Sequence, residues 1–278
     1  MMRKTAAIAI AFALMLTCSG VAGAGVVVDE QQVSDRGTGA PATHKITVMV
    51  QGNKQKSIID DGKQSLITNL DTGTRMMISS QRKMYVEMPF PPKGMPLMQG
   101  AEKGLDFKPT GEHHTIAGYP CDEYLGTGTM GGNQMTVRGC FSTAAPGAAE
   151  FNAFQKAMAE KVKGTPMAMM ANAPAGVPLQ IDTSMKVTHM AIPGMTPQQT
   201  EDFNKRLANR PPVVTRMTVS KISTKELPAS TFQPPEGYTK QAMPMMGAGM
   251  GGRPMNMPPA AKPISPASPG ALATKVPE

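Results

Sequence analysis

Residues 111–141 read GEHHTIAGYPCDEYLGTGTMGGNQMTVRGCF, and they decide between a reactive centre and one wall of a stapled sheet. Between Cys121 and Cys140 the pattern is strand, glycine-rich turn, strand. A hairpin turning near Met130 to Gly132 brings the two cysteines to roughly opposite positions, and a disulfide Cys121–Cys140 is expected. The loop it closes is short, so its stabilisation belongs at the lower end of roughly 2–4 kcal/mol. His113 and His114 are adjacent, and neighbours on a strand point to opposite faces. They cannot easily share one metal ion, and an oxidised Cys121 offers no thiolate. A solvated strand-edge histidine pair is the expected role.

The N-terminus sets the compartment. Arg3 and Lys4 precede the apolar run TAAIAIAFALML, and Ala22-Gly23-Ala24 supplies small residues at a cleavage position. This is the pattern of a secretory signal peptide, residues 1–24. Lipid attachment at Cys18 is the less favoured alternative, because Thr17 is not the small residue that lipoprotein processing prefers. No later stretch approaches about 18 uninterrupted apolar residues, so no transmembrane segment is expected. With Cys18 removed, Cys121 and Cys140 form an even pair in an oxidising compartment. The expected location is periplasmic or secreted.

Composition narrows the function classes. The chain of 278 residues has 28 basic and 20 acidic residues, 4 % aromatics and no Trp. Its positive charge is scattered and aromatic platforms are few, which argues against nucleic-acid binding and leaves only a weak pull toward anionic lipid or cell-surface polymers. Peripheral contact with the outer membrane fits that balance. Met is abundant at 26 residues, and its unbranched, polarizable side chain suits irregular interiors.

Along the chain, residues 25–41 are polar and glycine-containing and read as a flexible lead-in. From His44 the pattern has period two, with Ile46, Val48 and Val50 on one face. KSII, SLITNL, RMMIS and KMYVEM then form a meander through turns at Asp61-Gly62, Asp71-Thr72-Gly73 and SQRK. PFPPKGMPLMQG, rich in proline, interrupts it as an apolar loop lying across the sheet. After the cysteine hairpin, Phe151, Phe154, Met158 and Val162 fall at helical spacing, predicting an amphipathic helix over 147–163 ended by Gly164. GVPLQIDTSMKVTHM is strand-like. Thr196, Pro197 and Gln199 then open a second, short surface helix through a capping box. PVVTRMTVSKIS is the last confident strand. Residues 241–278, rich in Met, Pro and Gly, read as a disordered tail, leaving one domain over 42–240.

Three motifs suggest chemistry. GTGTMG at 126–131 matches a dinucleotide fingerprint, but a strand comes after it where a helix N-terminus must hold the pyrophosphate. LDTG at 70–73 resembles half of an aspartic-protease dyad, and it occurs once. Four histidines offer little acid–base machinery. No enzyme and no cofactor are expected. In the tail, Met243, Met245, Met246, Met250, Met255 and Met257 supply soft thioethers suited to Cu(I), so copper handling is an alternative function.

TIAGYPCDEY at 115–124, GVPLQI at 176–181 and STFQPPEGYTK at 230–240, in that order, resemble the bacterial family called domain of unknown function 4412, whose fold is similar to that of the lipoprotein carriers LolA and LolB. Gly118, Cys121, Gly176, Pro178, Phe232, Pro235, Gly237 and Tyr238 match its pattern as structural positions. The resemblance implies an α+β fold: an antiparallel sheet curled into an unclosed half-barrel with one or two covering helices. In the carriers the hollow holds acyl chains. The expected function is therefore a non-enzymatic binding protein of the cell envelope that holds a lipid or other hydrophobic ligand. Phe151, Phe154, Met158 and Val162 are the candidates to face it. A purely structural envelope protein with a filled core is the other alternative.

Overall fold

The computed structural model describes residues 24–37, 39–92, 104–130, 132–190 and 194–242. In chain order these form β1 (Gly25–Asp35), β2 (Ala42–Gln51), β3 (Lys54–Ile59), β4 (Gln64–Asn69), β5 (Thr74–Ser79), β6 (Met84–Pro89), β7 (Asp106–Ile116), β8 (Tyr119–Met130), β9 (Asn133–Ser142), α1 (Ala148–Val162), β10 (Val177–Lys186), α2 (Pro197–Ala208), β11 (Val213–Lys225) and β12 (Thr239–Gln241). All twelve strands join one sheet, in the order β12-β6-β5-β4-β3-β2-β1-β11-β10-β9-β8-β7. Every pairing is antiparallel except the short parallel contact of β12 with β6. The ends, β12 and β7, are not paired with each other, so the sheet is unclosed.

The centre of that order is β1, which corrects the expectation of a flexible lead-in over 25–41. Val26, Val27 and Val28 are 0, 7 and 3 % exposed. Consecutive strand residues point to opposite faces, so three buried valines in a row mean a strand covered on both sides. The polar second half, DEQQVSD, holds its place through the backbone, pairing with β2 and β11 along its length. The domain thus begins at β1 and not at residue 42.

On either side of β1 the chain folds locally. The β2–β6 meander forms where alternation and turn residues predict it, with four-residue turns between β3, β4, β5 and β6. On the other side β7, β8 and β9 form the cysteine hairpin and its neighbour. Asp122 pairs with Phe141 and Glu123 with Cys140, so Cys121 sits diagonally across from Cys140. Their Cα atoms are 5.4 Å apart and the disulfide is formed. Closing a loop with a sequence separation of 19 removes chain entropy from the unfolded state worth about 3 kcal/mol. Residues 126–130 of GTGTMG end β8, and the next element is the strand β9, not a helix. LDTG closes the turn between β4 and β5, where Asn69 Oδ1 accepts from the backbone N–H groups of Asp71 and Thr72.

Helix α1 lies on β1, β2 and β10. Phe151, Phe154 and Val162 are 6, 1 and 2 % exposed and pack with Val26, Val28, Val48, Val50, Val177 and Leu179. Two polar side chains fix the helix: Glu150 accepts from the backbone of Gly52, and Asn152 Oδ1 accepts from Gly176 N at 2.7 Å. Its N-cap, Gly147, has φ 73°. A Cβ there would lie 2.1 Å from Val26 Cγ2, so glycine alone lets the helix start this close to β1. The opposite face of the sheet has its own cluster, Val27, Ile67, Ile78, Leu227 and Phe232. The 3-10 turn Ala229–Phe232 supplies its lid. α2 carries the expected capping box between Thr196 and Gln199, a Glu201–Lys205 ion pair, and one buried side chain, Leu207.

Among the described residues, no helix is long and apolar enough to cross a membrane. The signal-peptide residues with Cys18, most of the proline-rich loop and the six tail methionines lie outside the described residues.

Gly147→Ala should lose roughly 2–4 kcal/mol, because a positive φ and a steric clash act together. Gly62→Ala has a positive φ but nothing within 4 Å of the new Cβ, and should lose only about 1 kcal/mol. Urea unfolding midpoints of the two variants measure the difference, and equal losses would mean that α1 does not press on β1 as described.

Candidate functional site

Pairing register places side chains in rows across the sheet, since directly opposite residues on antiparallel strands share a face. On the face that carries α1, the first row is Val26, Val50, Gln55, Thr68, Arg75 and Met88. The second is Val28, Val48, Ser57, Leu66, Met77 and Val86. The third is Glu30, Ile46, Ile59, Gln64, Ser79 and Met84.

Burial changes along these rows. Toward β1 and β2 they are covered: Val26, Val28, Val48 and Val50 are all buried. In the first row the polar groups satisfy one another, Arg75 Nε donating to Thr68 Oγ1 at 3.1 Å. The Arg75 guanidinium lies 4.1 Å over the Phe90 ring, and burial pushes its pKa down. Toward β3–β6 the second row opens, and Met77 is 54 % exposed. There a hollow of about 460 Å³ is lined by Ile59, Leu66, Met77, Met84 and Val86, with Gln64, Gln81 and Arg82 at its polar margin.

Glu30 is the one acid in these three rows. Its neighbours are Ile46 on β2 and Val219 on β11, and no cation pairs with it among the described residues. Burial raises its pKa from 4.5 to about 7. An unpaired carboxyl on an apolar face is costly to ionise.

The candidates at helical spacing are placed differently from this hollow. Phe151, Phe154 and Val162 are turned onto the sheet and occupied in core packing, and Met158 is half-buried at the margin of the same cluster. Sequence reasoning misses the open strip on β3–β6. Its signal is present in RMMIS, where period two puts Met77 opposite Met76.

The histidine-rich stretch forms a second, polar hollow of about 270 Å³ lined by His114, Glu123, Arg138 and Gln180. Arg138 Nη1 meets Glu123 Oε1 at 2.7 Å and His114 Nε2 lies 3.4 Å from Oε2. His113 instead meets Asp122 at 2.7 Å, so the two imidazoles serve different partners. Among the described residues, no group of three His, Cys, Asp or Glu side chains is placed to hold a metal ion.

No protein-family model matches the chain, and no curated protein matches its sequence. The resemblance to domain of unknown function 4412 therefore rests on its three segments. Several solved structures align with the chain. PNGF-II aligns at 10 % identity with a TM-score of 0.37 over 79 % of this chain and 31 % of that one, so this chain spans about a third of its length. A Vibrio parahaemolyticus domain named for outer membrane lipoprotein sorting aligns at 9 % identity and TM-score 0.32, over 76 % of this chain and 89 % of that one. A LolA superfamily protein from Nitrosomonas europaea aligns at 11 % and 0.29, over 76 and 90 %. Identities and scores this low leave the functional reading to the molecule itself.

Glu30 makes stability depend on pH with a definite sign. Below about 4.5 the carboxyl is neutral in both states, and no penalty exists. Between about 4.5 and 7 only the unfolded chain ionises, and above about 7 the folded protein must hold a half-buried, unpaired charge. Glu30→Gln should thus stabilise the protein by roughly 1–3 kcal/mol at pH 8 and by almost nothing at pH 4. Unfolding curves at the two pH values check this.

Proposed function

We propose that the protein is a non-enzymatic carrier of the cell envelope that holds a lipid or another hydrophobic ligand on the α1 face of an unclosed half-barrel. One observation carries the reading. Past the helix and beyond Ser57, the same face carries the apolar side chains of Leu66, Met77 and Val86, where Met77 is 54 % exposed above a hollow of about 460 Å³. Apolar surface left open beside a hollow is the usual form of a ligand-binding groove.

The signal-peptide pattern of residues 1–24, the disulfide and the likeness of three segments to a family related to LolA and LolB support the same reading. Burying an acyl chain contributes about 0.8 kcal/mol per methylene. Ten methylenes give roughly 8 kcal/mol before the losses of translational and rotational freedom are subtracted. Roughly 8 kcal/mol alone corresponds to about 1 μM, so after those losses a ten-methylene chain binds more weakly than that, which suits uptake and release.

Nothing in the strip resembles machinery for bond cleavage. Glu30 has no neighbouring nucleophile in the three rows, and the His114–Glu123–Arg138 cluster is engaged within itself. The reading is therefore a binding function, with the outer membrane as a peripheral contact.

Native mass spectrometry after detergent-free purification, followed by titration with a fluorescent fatty acid, tests the carrier. Saturable binding is expected. Met77→Asp should weaken it at least tenfold while leaving the unfolding midpoint nearly unchanged, because Met77 is mostly exposed. A protein that takes up no acyl probe would end this reading.

A further inference from the structure

The margin of the strip carries charge that the core does not use. The turn at 60–63 precedes β4 and the turn at 80–83 joins β5 to β6. The two adjoin, since Ser80 N and Oγ lie 3.2 and 3.3 Å from the carbonyl oxygen of Lys63, to which they donate. Arg82 lines the hollow. Lys63, Arg82 and Lys83 are exposed, and none of them forms a close ion pair among the described residues.

Two acids share this margin, Asp60 and Asp61. The first is engaged by His44, whose Nδ1 lies 2.8 Å from Oδ2, and that bond together with the field of Lys63 holds its pKa below the usual carboxylate value. Asp60 and Asp61 together offset two of the three cations, Lys63, Arg82 and Lys83. The margin of the apolar strip keeps a net positive charge, and Arg82, which lines the hollow, has no acid paired with it among the described residues. At the inner end of the third row stands Glu30, of the opposite sign when ionised. From β2 to β6 the strip crosses four strand spacings, roughly 19 Å.

We infer that the strip takes an amphiphile with an anionic head group, its chain laid across Leu66, Met77 and Val86 and its head against Arg82 and Lys83. This rests on the carrier reading above. The arrangement sets orientation as well as class. A carboxylate or phosphate at the outer end gains charge-assisted hydrogen bonds from the Arg82 guanidinium. The same head pushed inward along the third row would pass Ser79 and Gln64 and then meet Ile59, Ile46 and finally the Glu30 carboxyl. A cationic head is repelled at the entrance, and a neutral head gains only the chain contacts.

The test displaces a bound fluorescent acyl probe from the full-length mature protein with three ligands of equal chain length below their micellar concentrations: dodecanoate, dodecanol and dodecyltrimethylammonium. Dodecanoate should bind at least tenfold more tightly than the trimethylammonium compound, with dodecanol between them. The double variant Arg82→Glu/Lys83→Glu should lose at least tenfold for dodecanoate and keep dodecanol within twofold. Adding 0.5 M salt should narrow the gap in the unaltered protein, because the cations are exposed. Equal affinities for all three heads, or a charge-reversed variant that still prefers dodecanoate, would overturn the head-group inference while leaving the carrier intact. Failure of all three ligands and of the probe would remove the carrier itself. Sedimentation of the ligand-free protein supplies the remaining outcome: a dimer that Met77→Asp dissociates would assign the strip to a second copy of the chain and overturn both.

Discussion

The whole sheet depends on β1 being buried on both faces. Val26 and Val28 meet α1 and its cluster, while Val27 belongs to the cluster on the opposite side. Strand β1 is also the sole link in the strand order between the β2–β6 meander and the half containing β7–β11. Burial of three valine side chains supplies about 1.5–3 kcal/mol each. Their larger consequence is geometric, because they hold two locally folded halves in one continuous surface. The strip beside α1 exists because that surface extends beyond what a helix of this length can cover.

Much of this is legible in the residues. The meander is visible because Ile46, Val48 and Val50 alternate and because Asp-Gly and Asp-Thr-Gly turns punctuate the strands after them. The α1 stripe shows in the spacing of Phe151, Phe154, Met158 and Val162, and α2 in the Thr196–Gln199 box. The disulfide comes from counting cysteines on a hairpin. Local reading fails for a segment whose reason for order is distant. GVVVDEQQVSD has too few apolar residues in period two to identify itself, and its pairing with β11 settles it. The short β12 escapes for the same reason, its partner β6 lying far back in the chain.

The candidate site is only half legible. Apolar helix residues are the natural choice for a ligand-facing wall, yet the helix presents them to the sheet, and packing uses them up. The open surface comes from strands whose individual patterns are ordinary. Register alone assembles Leu66, Met77 and Val86 into a row, and no single segment contains that information. Glu30 is hidden in the stretch that reads as a lead-in, so its unusual environment cannot be suspected before β1 is placed.

The position of β1 also has a kinetic side. Gly25 pairs with Lys225, and Asp35 with Val214, contacts that span about 200 residues of chain, whereas the neighbouring meander closes over turns of a few residues. Long loops delay pairing because their closure entropy is spent before the contact rewards it. A chain synthesised from its N-terminus releases β1 first and its second partner almost last. For most of that interval the valine-rich strand has only β2 to shield it, and one edge waits open for β11, a stage at which a chaperone that covers exposed strand edges would be of most use.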